Sequence, residues 1–228
     1  MGHQSVVSDW NKHWRTRFDD FIAEQMAAAD GAHDLAHVQR VVTNAALLMQ
    51  LENADPGVVL PAALLHDCVL VRKDSPQRNQ ASRLAAQKAG EFLKRIGYPV
   101  QPIPAIEHAI EAHSFTAGIV PRTIEAKVVQ DADRLDALGA IGIARCFMTA
   151  GTMQASLYCP TDPLGSHRPL EDRKYAVDHF FEKLFKLPEQ MQTQAGQKLA
   201  GERAQFLHDF LKQMSLEAGW EKPRCRFA

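Results

Sequence analysis

Neither sign of charge is in surplus in this sequence. Its 228 residues hold 26 Lys and Arg against 27 Asp and Glu, a formal net charge of −1, so the broad footprint that duplex nucleic acid or an anionic membrane would select is missing. Long apolar runs are missing too. The longest, Val58 to Val71, is interrupted by Pro61, His66 and Asp67 and falls short of the ~20 residues that span a bilayer. No apolar stretch precedes Trp10, so no secretory leader is read and the expected compartment is the cytoplasm. The cysteines at 68, 146, 159 and 225 form no C-x-x-C pair and no zinc-ligand spacing, which points to reduced thiols, with Cys68 and Cys146 packed inside apolar helical patterns. Aromatic residues are scarce at 7%, and no repeat, low-complexity tract or linker interrupts the chain. What is present is 46% apolar and 23% charged residues, which supports a buried core and excludes a disordered polyelectrolyte.

Apolar residues recur at helical spacing almost throughout, so the chain is predicted to be all-α. Trp10, Trp14, Phe18, Phe21, Ile22 and Met26 form one helical stripe, and Val38, Val41, Val42, Ala45, Leu48 and Met49 form a second that begins just after Asp34. Asp55 followed by Pro56 signals a third helix, which Pro61 is expected to kink or restart. Further helices are expected at about 79–97, 103–113, 123–149, 173–185 and 189–216. The one long loop, about 151–172, holds Pro160, Pro163, Gly165 and Pro169, and loops of that length in helical proteins are more often functional than idle. One domain over 1–228 is expected.

The dipeptide His-Asp occurs at 33–34, 66–67 and 208–209. The last lies in an ordinary amphipathic helix, and Asp34 stands where an N-cap is needed. His66-Asp67 differs, because Ala62-Ala63-Leu64-Leu65 precedes it and Cys68-Val69-Leu70-Val71 follows, apolar on every face. A carboxylate taken out of water there demands a partner, and a metal ion would supply one. A second acidic cluster, Asp131, Asp133 and Asp136, lies between apolar or small residues, with Arg134 as a local countercharge. A solvated helix edge and a metal role are both open for it. His33 and His37, at i and i+4, form a weaker third element.

His37, His66-Asp67 and Asp133 together spell H…HD…D, and here the sequence resembles the HD-domain family of metal-dependent phosphohydrolases. The resemblance runs through Gly31-Ala32-His33-Asp34-Leu35-Ala36-His37-Val38-Gln39-Arg40-Val41, through Ala62-Ala63-Leu64-Leu65-His66-Asp67, and through Gln130-Asp131-Ala132-Asp133-Arg134-Leu135-Asp136-Ala137-Leu138-Gly139-Ala140-Ile141-Gly142. From about residue 20 to 215 the chain is similar to a bacterial branch related to enzymes that hydrolyse nucleoside triphosphates. His179, Lys183, the Met191-Gln192-Thr193 segment and Arg203 share that likeness, although their helices read as amphipathic. The resemblance implies an all-α HD-type helical bundle, with a core at about 30–150 and a C-terminal helical extension at about 173–218.

It further implies that His37, His66, Asp67 and Asp133 bind one divalent metal ion. A mixed nitrogen and oxygen set of this kind suits Mn, Fe, Co, Ni or Zn, with Mg also open. The implied activity is hydrolysis of a phosphoester or phosphoanhydride bond by metal-activated water, on a small phosphorylated substrate, best a nucleotide. Asp67, His113 and Lys73 are the catalytic candidates, His113 resembling an extra histidine that relatives place near the metal. His33, Lys73 and Arg78 are the phosphate-binding candidates. Asp131 is expected to point away from Asp133 and Asp136 to share its face, while His108, five residues from His113, falls on another face. No duplex nucleic acid and no membrane are expected as partners, and a homodimer is left open. The rival readings are a di-iron oxygenase of the same fold and a binding or regulatory protein that keeps its metal for stability.

Overall fold

The structure, a computed structural model, describes residues 3–25, 35–69, 71, 78–114 and 117–220, with the backbone alone for 3–9, 11 and 78. Among the described residues there are nine α-helices and no strand, apart from an isolated bridge between Ser156 and Tyr175, so the chain is all-α as its periodicity predicts. No helix is long and apolar enough to cross a membrane. The chain divides into two compact units, Met1–Asp133 with Gln192–Gly196, and Arg134–Met191 with Gln197–Ala228.

In the first unit, α1 (His3–Gln25) and α2 (Leu35–Leu51) bury the stripes read from the sequence, Phe18 and Ile22 on α1 and Val38, Val41, Ala45 and Leu48 on α2. Between them and α5 (Ile103–His113) packs α3 (Pro56–Leu65), in which all residues but Gly57 are buried. Asp55 starts α3 by accepting the Gly57 N–H at 2.8 Å, with Pro56 at the first helical position. Pro61 does not end it. A proline has no N–H for the carbonyl four residues earlier, and that carbonyl, Gly57 O, is taken instead by the Tyr98 hydroxyl at 2.8 Å. Tyr98 Oη in turn accepts the Trp10 indole N–H at 3.0 Å. The helix is thus repaired from outside and stays regular to Leu65. α4 (Ala81–Ile96) closes on Gly97, whose φ of 75° supplies the left-handed cap, with the Tyr98 N–H on Leu93 O. α6 (Ile124–Leu135) completes the set that frames the site.

The helix expected over 123–149 is two helices. α6 stops at Leu135, the chain turns through Asp136–Leu138, and α7 (Gly139–Thr152) starts at a glycine with φ of +67°. That left-handed backbone is one that residues with a Cβ rarely adopt.

The second unit is built on α7, the short α8 (Asp178–Glu182) and most of α9 (Gln194–Glu217), around Cys146, Phe180, Leu184, Leu207 and Leu211. The expected helix at 173–185 shrinks to α8 because residues 171–177 turn, with the Ala176 N–H on Ser156 O at 2.9 Å. The loop before it is braced. Asp178, fully buried, accepts both Arg168 Nη atoms at 2.6 and 2.7 Å and the Glu171 N–H at 2.7 Å. Asp162 accepts the Ser166 and His167 N–H groups at 2.9 and 2.7 Å.

A methyl group at Gly142 would lie 2.2 Å from the Ala137 carbonyl oxygen, a backbone atom that cannot swing aside. Gly142→Ala is therefore expected to destabilise the chain by about 1–3 kcal/mol, read as a lower urea midpoint with an unchanged slope.

Candidate metal centre

Four helices of the first unit bring one chemistry-bearing side chain or pair each to the same place. His37 lies in the first turn of α2. His66 is the C-cap of α3, with helical φ and ψ of −56° and −37°, and Asp67 follows it. His113 is the last residue of α5, and Asp133 lies in the last turn of α6. Three of these four elements present a C-terminal end, where unpaired carbonyls concentrate negative charge and favour a cation.

The rings are buried, His66 completely and His37 and His113 at 1% and 7% exposure. The carboxylates stay a quarter open, with side-chain exposures of 25% for Asp67 and 28% for Asp133. His66 Nε2 lies 3.4 Å from His37 Nε2, 3.6 Å from Asp67 Oδ2 and 3.9 Å from Asp133 Oδ1. His37 Nε2 lies 3.8 Å from Asp67 Oδ2 and 3.5 Å from Asp133 Oδ1, and His113 Nε2 lies 3.6 Å from Asp67 Oδ1. These separations exceed those of charge-assisted hydrogen bonds, about 2.7–2.9 Å. They are close to the spacing of neighbouring ligands about 2.1 Å from one ion, which is about 3.0 Å in octahedral and 3.4 Å in tetrahedral coordination. Two groups of three satisfy this convergence, His37 with His66 and Asp133, and His66 with Asp67 and His113.

The ring orientations are prepared from behind. His66 Nδ1 lies 2.8 Å from Ala63 O and His113 Nδ1 2.7 Å from Ile110 O. A carbonyl can only accept, so each Nδ1 carries the proton and each Nε2 offers its lone pair to the cluster whenever the ring is neutral. Burial lowers the His66 pKa, against the pull of Asp67. Burial also opposes the His113 charge, but Asp67, Asp133 and the Ile110 carbonyl raise its pKa above the ordinary value. For Asp67 burial works against ionisation, yet His66, His113 and His37 outweigh it and hold the carboxyl well below its usual range. Asp133 is lowered in the same way, by His66 and His37 first.

The structure therefore brings His37, His66, Asp67, Asp133 and His113 together. His33 and Lys73 lie outside the described residues, as does the side chain of Arg78. Asp131 points away, as its spacing predicts: it is fully buried and accepts the Gln192 N–H at 2.9 Å, the Thr193 N–H at 2.9 Å and the Thr193 hydroxyl at 2.8 Å. Asp136 does not share the face of Asp133. Helix α6 has ended at Leu135, and in the second unit Asp136 pairs with Arg145 at 2.7 Å. There too Arg134 donates to Gln190 O and Arg203 to Leu135 O. His108 Nε2 accepts the Arg122 N–H at 3.0 Å, and His179 pairs with Asp172 at 3.0 Å. Two residues near the site were given no role from the sequence. Asn44 Nδ2 donates to Ala132 O at 3.1 Å, tying α2 to α6, and Gln130 Nε2 donates to Ala112 O at 2.6 Å, tying α6 to α5. The signal for both was a polar side chain inside an apolar stripe.

An all-α unit that gathers this order of histidines and aspartates is what an HD domain is, and the HD-domain family profile matches residues 34–138. The chain belongs to the HD-domain family, and its fold is that of HD-superfamily hydrolases. It is 37% identical over 186 residues to the protein YpgQ of Bacillus subtilis, covering 80% of this chain and 82% of YpgQ. The crystal structure of YpgQ in complex with ADP superposes with a TM-score of 0.68 at 34% identity, over 88% of this chain and 97% of that one. An HD-superfamily hydrolase from Bacillus thuringiensis superposes with a TM-score of 0.69 at 31% identity, over 91% and 99% of the two chains.

Asp131 offers a test of what is separate from the cluster. Asp131→Asn turns one acceptor oxygen towards its donors as an N–H₂ group, and is expected to cost about 2–3 kcal/mol of stability. Thermal and urea unfolding would show the loss, with metal-induced stabilisation of the folded protein retained.

Proposed function

We propose that this chain is a metal-dependent phosphohydrolase that cuts a phosphoester or phosphoanhydride bond of a small phosphorylated molecule, a nucleotide above all. The observation that carries the reading is the convergence of three imidazole nitrogens and two carboxylates, with the His66 and His113 rings fixed from behind. The ADP in the YpgQ crystal supports the nucleotide class.

In this reading His37, His66, Asp67 and Asp133 hold one divalent ion, and the donor set fits it in number and kind. Such an ion, when bound, lowers the pKa of water and offsets phosphoryl charge. The exposed quarter of Asp67 and Asp133 leaves a way in for substrate on the side away from the buried rings. His113, with Nδ1 fixed on Ile110, holds or moves a proton at Nε2 beside Asp67. Lys73, Arg78 and His33 are proposed to steady the phosphate, with Lys73 also offsetting charge during bond cleavage.

The test is release of phosphate and pyrophosphate from a panel of nucleotides and sugar phosphates, with Mn, Co, Ni, Mg or Zn added. Turnover that requires metal and falls by about a thousandfold or more in a folded Asp133→Ala protein is the expected result. Silence across the panel, from protein shown to contain metal, would overturn the reading. A second expectation concerns pH. Burial opposes the His113 charge, but Asp67 and Asp133 outweigh it and raise its pKa, so as the pH falls His113 takes up a charge beside Asp67 that opposes a cation, and the rise in melting temperature on adding metal should shrink from about pH 8 to about pH 6. The same series with His37→Ala and His66→Ala should show little metal-induced rise at either pH.

A further inference from the structure

Gln130 is 3% exposed and sits on α6 between Val129 and Asp131, yet it belongs to neither the metal cluster nor the apolar core. Its Nε2 donates to the Ala112 carbonyl at 2.6 Å. That carbonyl is one of the terminal four of α5, which have no partner within the helix. α5 has no left-handed cap, since at Ser114 the chain leaves in an extended conformation, φ −73° and ψ 126°. Two side chains cap the end instead, the Gln130 amide on Ala112 O and the His113 ring on Ile110 O. The ring that faces Asp67 therefore hangs from a turn in which another of the terminal carbonyls is secured by a different helix.

The amide orientation is fixed by its partner, because a flipped Gln130 would set one oxygen against another at that distance. Its own Oε1 is buried with no hydrogen-bond partner among the described residues. A methionine would fill the same space without burying that oxygen, so the amide is explained by the bond it makes rather than by packing.

We propose that Gln130 is a positioning residue for His113: by donating to Ala112 O it closes the end of α5, which keeps His113 Nδ1 on Ile110 O and Nε2 directed at Asp67. Its consequence for turnover rests on the reading of His113 as the proton-handling group.

Two variants test it in the full chain. Gln130→Met keeps the volume and removes the donor, and Gln130→Leu removes the donor with a different apolar shape. Long-range ¹H–¹⁵N spectra of the imidazole nitrogens, without added metal and assigned with His66→Gln and His113→Gln, read the rings directly. In both variants His113 is expected to lose the signature of a hydrogen-bonded, protonated Nδ1, while His66, held by Ala63 O within its own helix end, keeps it. In metal-loaded protein kcat is expected to fall about tenfold or more, with KM changed less than about twofold. His113 signals unmoved in both variants, with only a lower melting temperature, would overturn the proposal and leave Gln130 a packing residue. If the parent protein shows no turnover the phosphohydrolase reading fails, and the imidazole spectra still decide whether Gln130 sets the ring.

Discussion

Burial penalises charge on each of His66, Asp67, His113 and Asp133, and Asp67 and Asp133 also repel each other. Holding these groups in two overlapping trios, each with its ligand atoms within 4.8 Å of one another, is therefore the constraint on which the first unit is built. Attraction between rings and carboxylates offsets part of the cost, across separations such as the 3.5 Å from His37 to Asp133 and the 3.6 Å from His113 to Asp67. A cation shared by the set removes the repulsion and uses the lone pairs that the ring tautomers expose. The scaffold must keep those lone pairs aimed at one point with or without it.

The scaffold does so by placing the site at helix ends and fixing the ends from outside. α3 is buried on nearly every face, so it cannot rotate without exposing Val59, Leu60 or Leu65, and His66 at its C-cap inherits that rigidity. The same helix carries a proline that would ordinarily leave a carbonyl unpaired. Tyr98 and Trp10 take up that group, so the helix reaches Leu65 in register and delivers His66 and Asp67 together. α2 gains its register from Asn44, two turns beyond His37, whose amide holds Ala132 O. Polar side chains bonded to backbone carbonyls fix helix positions more narrowly than apolar contact does, because the hydrogen bond tolerates little displacement.

His66 and Asp67, between Leu65 and Cys68, were legible from the residues alone because their apolar neighbours demand burial and a buried charge announces its need for a partner, whereas His37, His113 and Asp133 took their places from the family resemblance. The start of α2 was legible from the onset of periodicity just after Asp34, and that of α3 from Asp55 and Pro56. The break after Leu135 was not, since Ala137, Leu138 and Gly139 continue an apolar helical pattern, while the backbone turns there, with Leu138 extended and Gly139 at positive φ. Asp136 was misplaced for that reason alone: counting three residues from Asp133 presumes a helix that has already ended. Asn44 and Gln130 were hidden for a different reason. Their partners are the carbonyls of Ala132 and Ala112, and a backbone acceptor has no residue identity for a motif to display.

Helix α6 shows how finely that hidden information is set. Gln130 bonds to α5 through Ala112, Asp131 to the segment 192–196 through Gln192 and Thr193, and Ala132 presents its carbonyl to Asn44 of α2, while Asp133 faces the cluster. The side chains of 130, 131 and 133 and the carbonyl of Ala132 thus reach four different partners, as the ~100° step of an α-helix allows. A slip of one residue would carry Asp131's buried charge away from its three donors and Asp133 away from His37 and His66 at once. Asp131 also matters beyond its own bonds. It holds Thr193, whose hydroxyl accepts the Gly196 N–H at 3.0 Å and so starts α9, and a Cβ at Gly196 would come within 2.3 Å of the Asp131 carboxylate. The direction of Asp133 is in this way enforced by its neighbours on both sides of the helix, and the site's geometry is a property of α6's register more than of any single ligand.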